Sequence, residues 1–434
     1  MATTGTGLAR GAIGLREVLF QSVTSMAPAG AVALSIAAGA TYAGGALPLT
    51  VLLALIACLL VATSIGQLAK HLPSAGSIYT YPAEAIHPAL GFLVGWGYAL
   101  VEALLGPITM VLCGYLIGSI TSSEFGWPFT TTWVIFMIVA SFLVAALNYR
   151  GIQVSAGRND PWPVRDPRLP RARCHAHRQG RLSEHDKRLH PALRDDQGLQ
   201  GLLRHRRRLR LHHPGVHRLR GRGVWGVGWV VAFFAILNST FANGNAGTLA
   251  TTRTWYAMSR IGLLPSPLAK LHPRWSSPYV GVVVQFVLTL AIGLPIGLHF
   301  WPTTAFVFLA TILTGIMIAI YMVFNLSCLL FYLRRREEFN VLLHAVIPVL
   351  GILAFIPAWL TALGIGSSFL KFVTPLSYPA SETGLAIGIW YGIGIVVLVY
   401  LYLKHPERLP EMKRVFADDA LPAADEPGTS GGAA

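Results

Sequence analysis

Nine stretches of this chain are long and apolar enough to cross a lipid bilayer, and that property limits the fold more than any motif does. A span needs about 20 mostly apolar residues. Such runs occupy roughly residues 18–40, 47–69, 88–120, 131–149, 225–250, 279–300, 303–333, 342–364 and 384–403. Each must pair its own backbone N–H and C=O groups, because lipid offers no partner; with no two-residue alternation to suggest a barrel, only helices do so. The expected fold is therefore all-α, a polytopic transmembrane helical bundle. Composition agrees: of 434 residues 53% are hydrophobic and only 12% charged, with a mean hydropathy of +0.55. Cys58, Cys113 and Cys328 lie inside apolar runs and Cys174 outside them, a scatter that indicates neither a disulfide framework nor a cysteine-rich metal site. The opening "MATTGTGLARGAIGLREVLF" lacks the pattern of a cleavable signal peptide, so the first span is expected to act as its own insertion signal.

Loop charges set the expected orientation. Arg10 and Arg16 precede the first span, Lys70 follows the second and Arg150 the fourth, while the links "TYAGGA" and "TSSEFGWP" carry no Lys or Arg. Basic residues favour the cytoplasmic side, which predicts a cytoplasmic N-terminus in a plasma (inner) membrane. Arg253, Arg260, Lys270 and Arg274, then Arg334 to Arg336, then Lys404 to Arg414 fall on the same side, against a lone Lys371 opposite. Counting crossings then exposes a conflict. The chain returns to the cytoplasm at Arg150, yet the span at 225–250 must end there too, so residues between them must cross an odd number of times.

Nothing in residues 157–223 can cross. They hold 18 Lys and Arg against 6 Asp and Glu, a net of +12 out of the chain's formal +15. Near mid-bilayer each Arg costs about 3 kcal/mol, so the eight in "RHRRRLRLHHPGVHRLRGRG" (204–223) would cost about 24 kcal/mol. One reading is a cytoplasmic insertion that binds nucleic acid or anionic lipid. Against it stand a single aromatic residue for stacking, Trp162, and no periodic apolar face. The "CHAH" of Cys174 to His177 has no second ligand pair and is a weak zinc signal. The other reading is a shifted reading frame, in which the second base of each codon becomes the first base of another. For "HHPGVHRLR" (212–220) those bases are A, A, C, G, T, A, G, T and G, and they admit "TILAFIGFE". For residues 157–179 the same offset admits "GGTILGLFEIPVFLALAATLIVK", an apolar span. The new second base is the old wobble position, so apolarity alone carries little weight; agreement of fixed letters with a specific motif carries more.

The in-frame blocks "SMAPAGAVAL", "HLPSAGSIYTY", "LGFLVGWGYALVEALLGP" and "FAILNSTFANGNAGTLATTRTWYAMSRIGLLP" resemble, in order and spacing, an amino acid permease of the amino acid-polyamine-organocation superfamily. The resemblance covers residues 15–156 and 224–410. It implies twelve spans, the first ten as two five-helix inverted repeats. The nine spans here then match the first to fourth and eighth to twelfth; the shifted text resembles the fifth and sixth, and the seventh is missing. Three missing crossings is an odd number, as the loop charges require. The expected organisation is thus an N-terminal transmembrane part (1–156), a basic irregular segment (157–223), a C-terminal transmembrane part (224–410) and a disordered tail (411–434).

The transport chemistry has candidate positions. Pro28 and Gly30 sit mid-span in "SVTSMAPAGAVAL"; proline removes a backbone donor and glycine loosens the helix. The plain alternative is a proline kink, but the resemblance favours a broken helix. Its free backbone groups over Ser25, Met26, Ala27, Pro28, Ala29 and Gly30 would then meet a zwitterion's carboxylate and ammonium. Glu102 is the one acid well inside a span. It is either a proton carrier or amine contact, or a carboxyl simply held neutral or hydrogen-bonded between helices. Asn238, Ser239, Asn243 and Asn245 lie at helical spacing, and packing explains most of them; Asn238 is assigned to the substrate site and, with Glu102, Asn243 to the polar pathway. Trp96 and Tyr98 read as packing or interfacial residues. No family role passes to His217, Arg218, Leu219 or Arg220, which stand where the second broken helix belongs.

These readings predict a secondary transporter for amino acids or related amines, proton-coupled by resemblance and impaired in this chain. Its partners would be a small-molecule substrate, protons and the lipid bilayer, with no nucleic acid, no cofactor and no metal. A membrane-anchored protein whose basic segment grips nucleic acid or anionic lipid is the competing class, and would show binding that falls steeply with salt. An enzyme is not expected, since HExxH, GxSxG and clustered carboxylates are missing.

Overall fold

The computed structural model describes residues 26, 28–72, 77–150, 228–260, 262–273, 275, 277–369 and 375–405. Residues 157–223, expected to be irregular, and the tail from 411 lie outside the described residues. The helices, apart from the first three residues of α6, belong to one compact unit of residues 1–157 with 231–434.

The main helices are α1 (Pro28–Ala43), α2 (Leu47–His71), α3 (Ser77–Ala85), α4 (Pro88–Phe125), α5 (Phe129–Tyr149), α6 (Gly228–Arg260), α7 (Tyr279–Phe300), α8 (Pro302–Arg334), α9 (Ile347–Ala362) and α10 (Thr383–Lys404). Every expected span corresponds to one of them, and the short α3 is additional. Seven of the described helices are long and apolar enough to cross a membrane. The other two expected spans are α1, described from Pro28 only, and α6, whose 33 residues are diluted with Asn, Ser, Thr and Gly.

Local signals explain the boundaries. His87 caps α4, its Nδ1 accepting from the Ala89 amide at 3.2 Å, and Pro88 takes the first helical position, where a missing N–H costs nothing. Gly126 ends the same helix at φ 73°, a left-handed turn that suits glycine. Pro302 opens α8 after Trp301, which holds φ 70°. Asn340 caps the turn leading into α9, its Oδ1 accepting from the amides of Leu342 (3.0 Å) and Leu343 (3.1 Å).

The bundle is organised on α4. Its 38 residues extend about 57 Å at 1.5 Å per residue, well beyond the roughly 30 Å of a bilayer core. It packs against α3, α5, α7, α8 and α10. Small residues let these helices approach, which is how helices associate where lipid removes the hydrophobic drive. Gly114 and Gly118 of α4 face Trp133 of α5, and Gly297 of α7 faces the same indole ring. Between α4 and α10, Trp96 and Trp390 stack at 4.8 Å, and each indole N–H donates to the other's backbone carbonyl at 3.0 Å. Leu52, Leu55 and Leu59 of α2 and Val396 and Leu403 of α10 point outward, as lipid-facing residues do.

Chain direction bears on the crossing count. Gly244 of α6 faces Met110, Gly247 faces Leu105, and the Thr251 hydroxyl donates to the Glu102 carbonyl, so α6 runs antiparallel to α4. The far end of α5 meets the connection after α6, where Ser277 Oγ donates to the Tyr149 carbonyl at 2.7 Å. Arg150 and the end of α6 therefore share one end of the bundle, and Val231, the first residue of α6 in this unit, lies toward the other. At the end shared by α2 and α8, His71 Nε2 lies 2.7 Å from Glu338 Oε2.

Candidate functional site

Two polar junctions form inside the bundle. The first joins α1 to α6: the amide of Gly30 donates to Ser239 Oγ at 3.2 Å. A Cβ added at Gly30 would stand 3.1 Å from Thr240 Oγ1, a tight contact that the Thr240 side chain would have to yield to by a few tenths of an ångström. Thr240 is buried and returns its own proton to the Ile236 carbonyl at 2.8 Å, which leaves its oxygen as an acceptor facing α1. Of the expected substrate residues, Gly30 is buried, Ala29 is half-buried and Met26 is 69% exposed. Pro28 lies in the helix, while Ser25 and Ala27 are outside the described residues. Asn238 neighbours the junction in sequence but is exposed, and Asn243 is half-buried one turn further on.

The second junction surrounds Glu102, which is 6% exposed. Tyr98 stands one turn earlier on α4, and Glu102 Oε2 has no partner among the described residues. Partner helices hold the backbone on either side of it. Thr251 of α6 donates to the Glu102 carbonyl at 2.8 Å, and Gln285 of α7 donates through Nε2 to the Ala103 carbonyl at 2.9 Å. A small hollow nearby is lined by Gly106, Ser141, Thr248, Gln285 and Thr289 among apolar neighbours. From Thr240 to Thr251 is eleven residues, about 16 Å along α6. Glu102 therefore does not touch the Gly30 junction, and Asn243 stands on α6 between the two levels.

Asn245 Oδ1 accepts from Asn148 Nδ2 of α5 at 2.8 Å, an interhelical bond. Gln285 was not singled out by sequence reasoning, although it is the one carboxamide in an otherwise apolar run, "YVGVVVQFVLTLAIGLPIGLHF". A separate cleft between α4, α7, α8 and α10 is lined by Leu104, Ile292, Phe308, Ile389 and other apolar side chains, and offers a zwitterion nothing to bind.

A bundle of long apolar helices, joined in its interior by small residues and isolated polar side chains, defines a multi-pass integral membrane protein. Two family models, each described as amino acid permease, match the chain, one over residues 17–158 and the other over residues 216–403. The chain belongs to the amino acid permeases of the amino acid-polyamine-organocation superfamily, a family of transporters and not of enzymes. It is 36% identical over 116 residues to the low-affinity putrescine importer PlaP of Escherichia coli, 26% of this chain and 24% of that protein. It is 29% identical over 142 residues to the lysine-specific permease LysP of Escherichia coli, 31% of this chain and 28% of that protein. It is 28% identical over 102 residues to the histidine permease HisP of Lactococcus lactis, 24% of this chain and 20% of that protein. The matched stretches thus span about a quarter of the length of these relatives.

Proposed function

We propose that the chain is built as a proton-coupled secondary transporter of amino acids or related amines, and that in its present form it transports poorly. The observation that carries the reading is the meeting of Gly30 with Ser239 and Thr240: a backbone donor near the start of α1 faces hydroxyl groups on the neighbouring helix. A substrate carboxylate would take the Gly30 amide in place of Ser239, as anions do at interrupted helices. Asn238 and Asn243 would border the path, and Glu102 would carry the coupling proton, one turn from Tyr98 and shielded from lipid. The relatives named above carry a diamine, lysine and histidine, which favours a substrate with an ammonium group. The orientation proposed is a cytoplasmic N-terminus in the plasma (inner) membrane, with the basic loops inside.

Impairment follows from the middle of the chain. Arg150 and Val231 lie toward opposite ends of the bundle, while the residues between include eight arginines in twenty positions that no bilayer core accepts. The family matches stop at residue 158 and resume at residue 216, close to the edges of the proposed out-of-frame segment. A restored reading frame would supply helices resembling the fifth and sixth spans, the last of the first repeat and the first of the second, and with the sixth the second broken helix opposite Pro28; the seventh span would still have to be added to complete two five-helix halves. The test is uptake into proteoliposomes with an imposed inward proton gradient. This chain is expected to accumulate no amino acid or diamine, and a frame-restored version, with the frame corrected across 157–223 and the missing seventh span supplied, is expected to accumulate one. Accumulation by the present chain would overturn the claim of impairment; failure of a folded, frame-restored chain across a panel of amino acids and diamines would overturn the transporter reading.

A further inference from the structure

The interior of α4 contains Pro107, and a proline inside a helix leaves the carbonyl four residues earlier without its helical donor. That carbonyl belongs to Ala103, the residue immediately after Glu102. In lipid no water can take the vacant position. Gln285 of α7 fills it, with Nε2 donating to the Ala103 oxygen at 2.9 Å in a fully enclosed setting. Its approach requires glycine at 106, because a Cβ there would lie 2.5 Å from Nε2 and would also collide with Thr289 Oγ1. The amide of Gln285 is 1% exposed, and its Oε1 has no partner among the described residues, so what the side chain does at this place it does through Nε2.

We propose that Gln285 is a positioning residue for Glu102: it replaces, from a neighbouring helix, the backbone donor that Pro107 removes, and so fixes the turn that carries the carboxyl. Thr251 acts beside it. The carbonyls of Glu102 and Ala103 are each held by a different helix, α6 for the first and α7 for the second. A shift of α7 against α4 would release the second hold and let the turn around Glu102 open, which ties the placement of the carboxyl to helix movement. The inference deepens the proposed coupling role of Glu102 and rests on it for its meaning in transport, though not for the contact itself.

The logic predicts a specific suppressor. Ala at position 107 restores an N–H to the Ala103 carbonyl, so Pro107→Ala should cancel the effect of Gln285→Leu, which loss of packing alone would not allow. The experiment uses the full chain, purified in detergent. Infrared spectroscopy follows the carboxyl stretch of Glu102, assigned by its disappearance in E102Q. Gln285→Leu is expected to shift or split that band and lower the unfolding temperature; the Q285L/P107A double variant is expected to return both toward the parent values. If Q285L alone yields no folded protein, recovery of monodisperse protein in the double variant is the expected result. An unchanged Glu102 band in folded Q285L, or a double variant no better than Q285L, overturns the proposal. A Glu102 band insensitive to pH would count against the coupling reading and leave the suppressor test standing on its own.

Discussion

Ser64 of α2 and Asn325 of α8 allow a sharp test of how polar pairs stabilise this bundle. Both are fully buried, with Ser64 Oγ 2.7 Å from Asn325 Oδ1. The other end of the Asn325 amide faces Gly351 of α9, where an added Cβ would lie 2.5 Å from Nδ2, and it has no partner. Whichever way round the amide sits, one end is paired and one is not; Ser64→Ala leaves neither paired. A buried polar group stripped of its partner costs about 1–3 kcal/mol in general. Bonds between membrane helices average only about 0.6 kcal/mol and reach about 1.7. The second range decides, because the unfolded state in micelles also finds partners, and the expected loss for Ser64→Ala is about 0.6–1.7 kcal/mol. Asn325→Leu removes the demand altogether and keeps the volume. The Ser64 hydroxyl then falls back on the Leu60 carbonyl of its own helix, 3.4 Å away, so this variant should be near neutral. The double variant should match Asn325→Leu and not the sum. Cys328, one turn from Asn325, and Cys113 are both buried, whereas Cys58 is exposed. With Cys58 and Cys174 replaced by serine, a thiol-reactive dye reports unfolding in a denaturant titration in mixed micelles. A Ser64→Ala variant within about 0.3 kcal/mol of the parent, the error of such comparisons, would refute the reasoning. So would an Asn325→Leu variant as unstable as Ser64→Ala.

The same dye titration checks two further substitutions. Gly91→Ala should cost about 1–3 kcal/mol, since its Cβ would stand 2.6 Å from both Ala83 Cβ and the Tyr79 carbonyl, and α3 backbone cannot swing aside; Gly388→Ala, with nothing within 4 Å, should be neutral. Asn148→Ala breaks the bridge to Asn245 and should cost about 0.6–1.7 kcal/mol; an unchanged midpoint would show that the α5–α6 seam does not depend on it. In the frame-restored chain, Glu102→Gln should abolish proton-driven accumulation while sparing substrate exchange between two loaded compartments. Loss of both activities would point to a structural role for the carboxyl, and retention of both would remove it from the mechanism.

What could be read without coordinates was whatever depends on one helix at a time. Apolar length located the seven described helices able to cross a membrane, because a chain in lipid must satisfy its backbone within each segment. Glu102 stood out for the cost of a carboxyl among apolar neighbours, and it is indeed enclosed. What depends on which helix faces which was not legible. Asn238 and Asn245 are seven residues apart and so within about 20° of the same stripe on α6. Asn245 nevertheless meets Asn148 of α5, while Asn238 is exposed. Tyr98 read as a packing or interfacial aromatic; it stands four residues before Glu102 on α4, one turn away on the same face. Gln285 shows the deeper reason. Its significance comes from a vacancy created by Pro107, and the two residues are 178 positions apart in the chain. A proline in a span announces an unpaired carbonyl four residues earlier, and a lone carboxamide in another span announces a donor without a use. Each half of the pair was visible as a deficit in its own helix. Joining them required only the knowledge that α4 and α7 are neighbours, so in a membrane bundle of this kind proline vacancies and solitary amides should be matched against each other before either is assigned a role in binding.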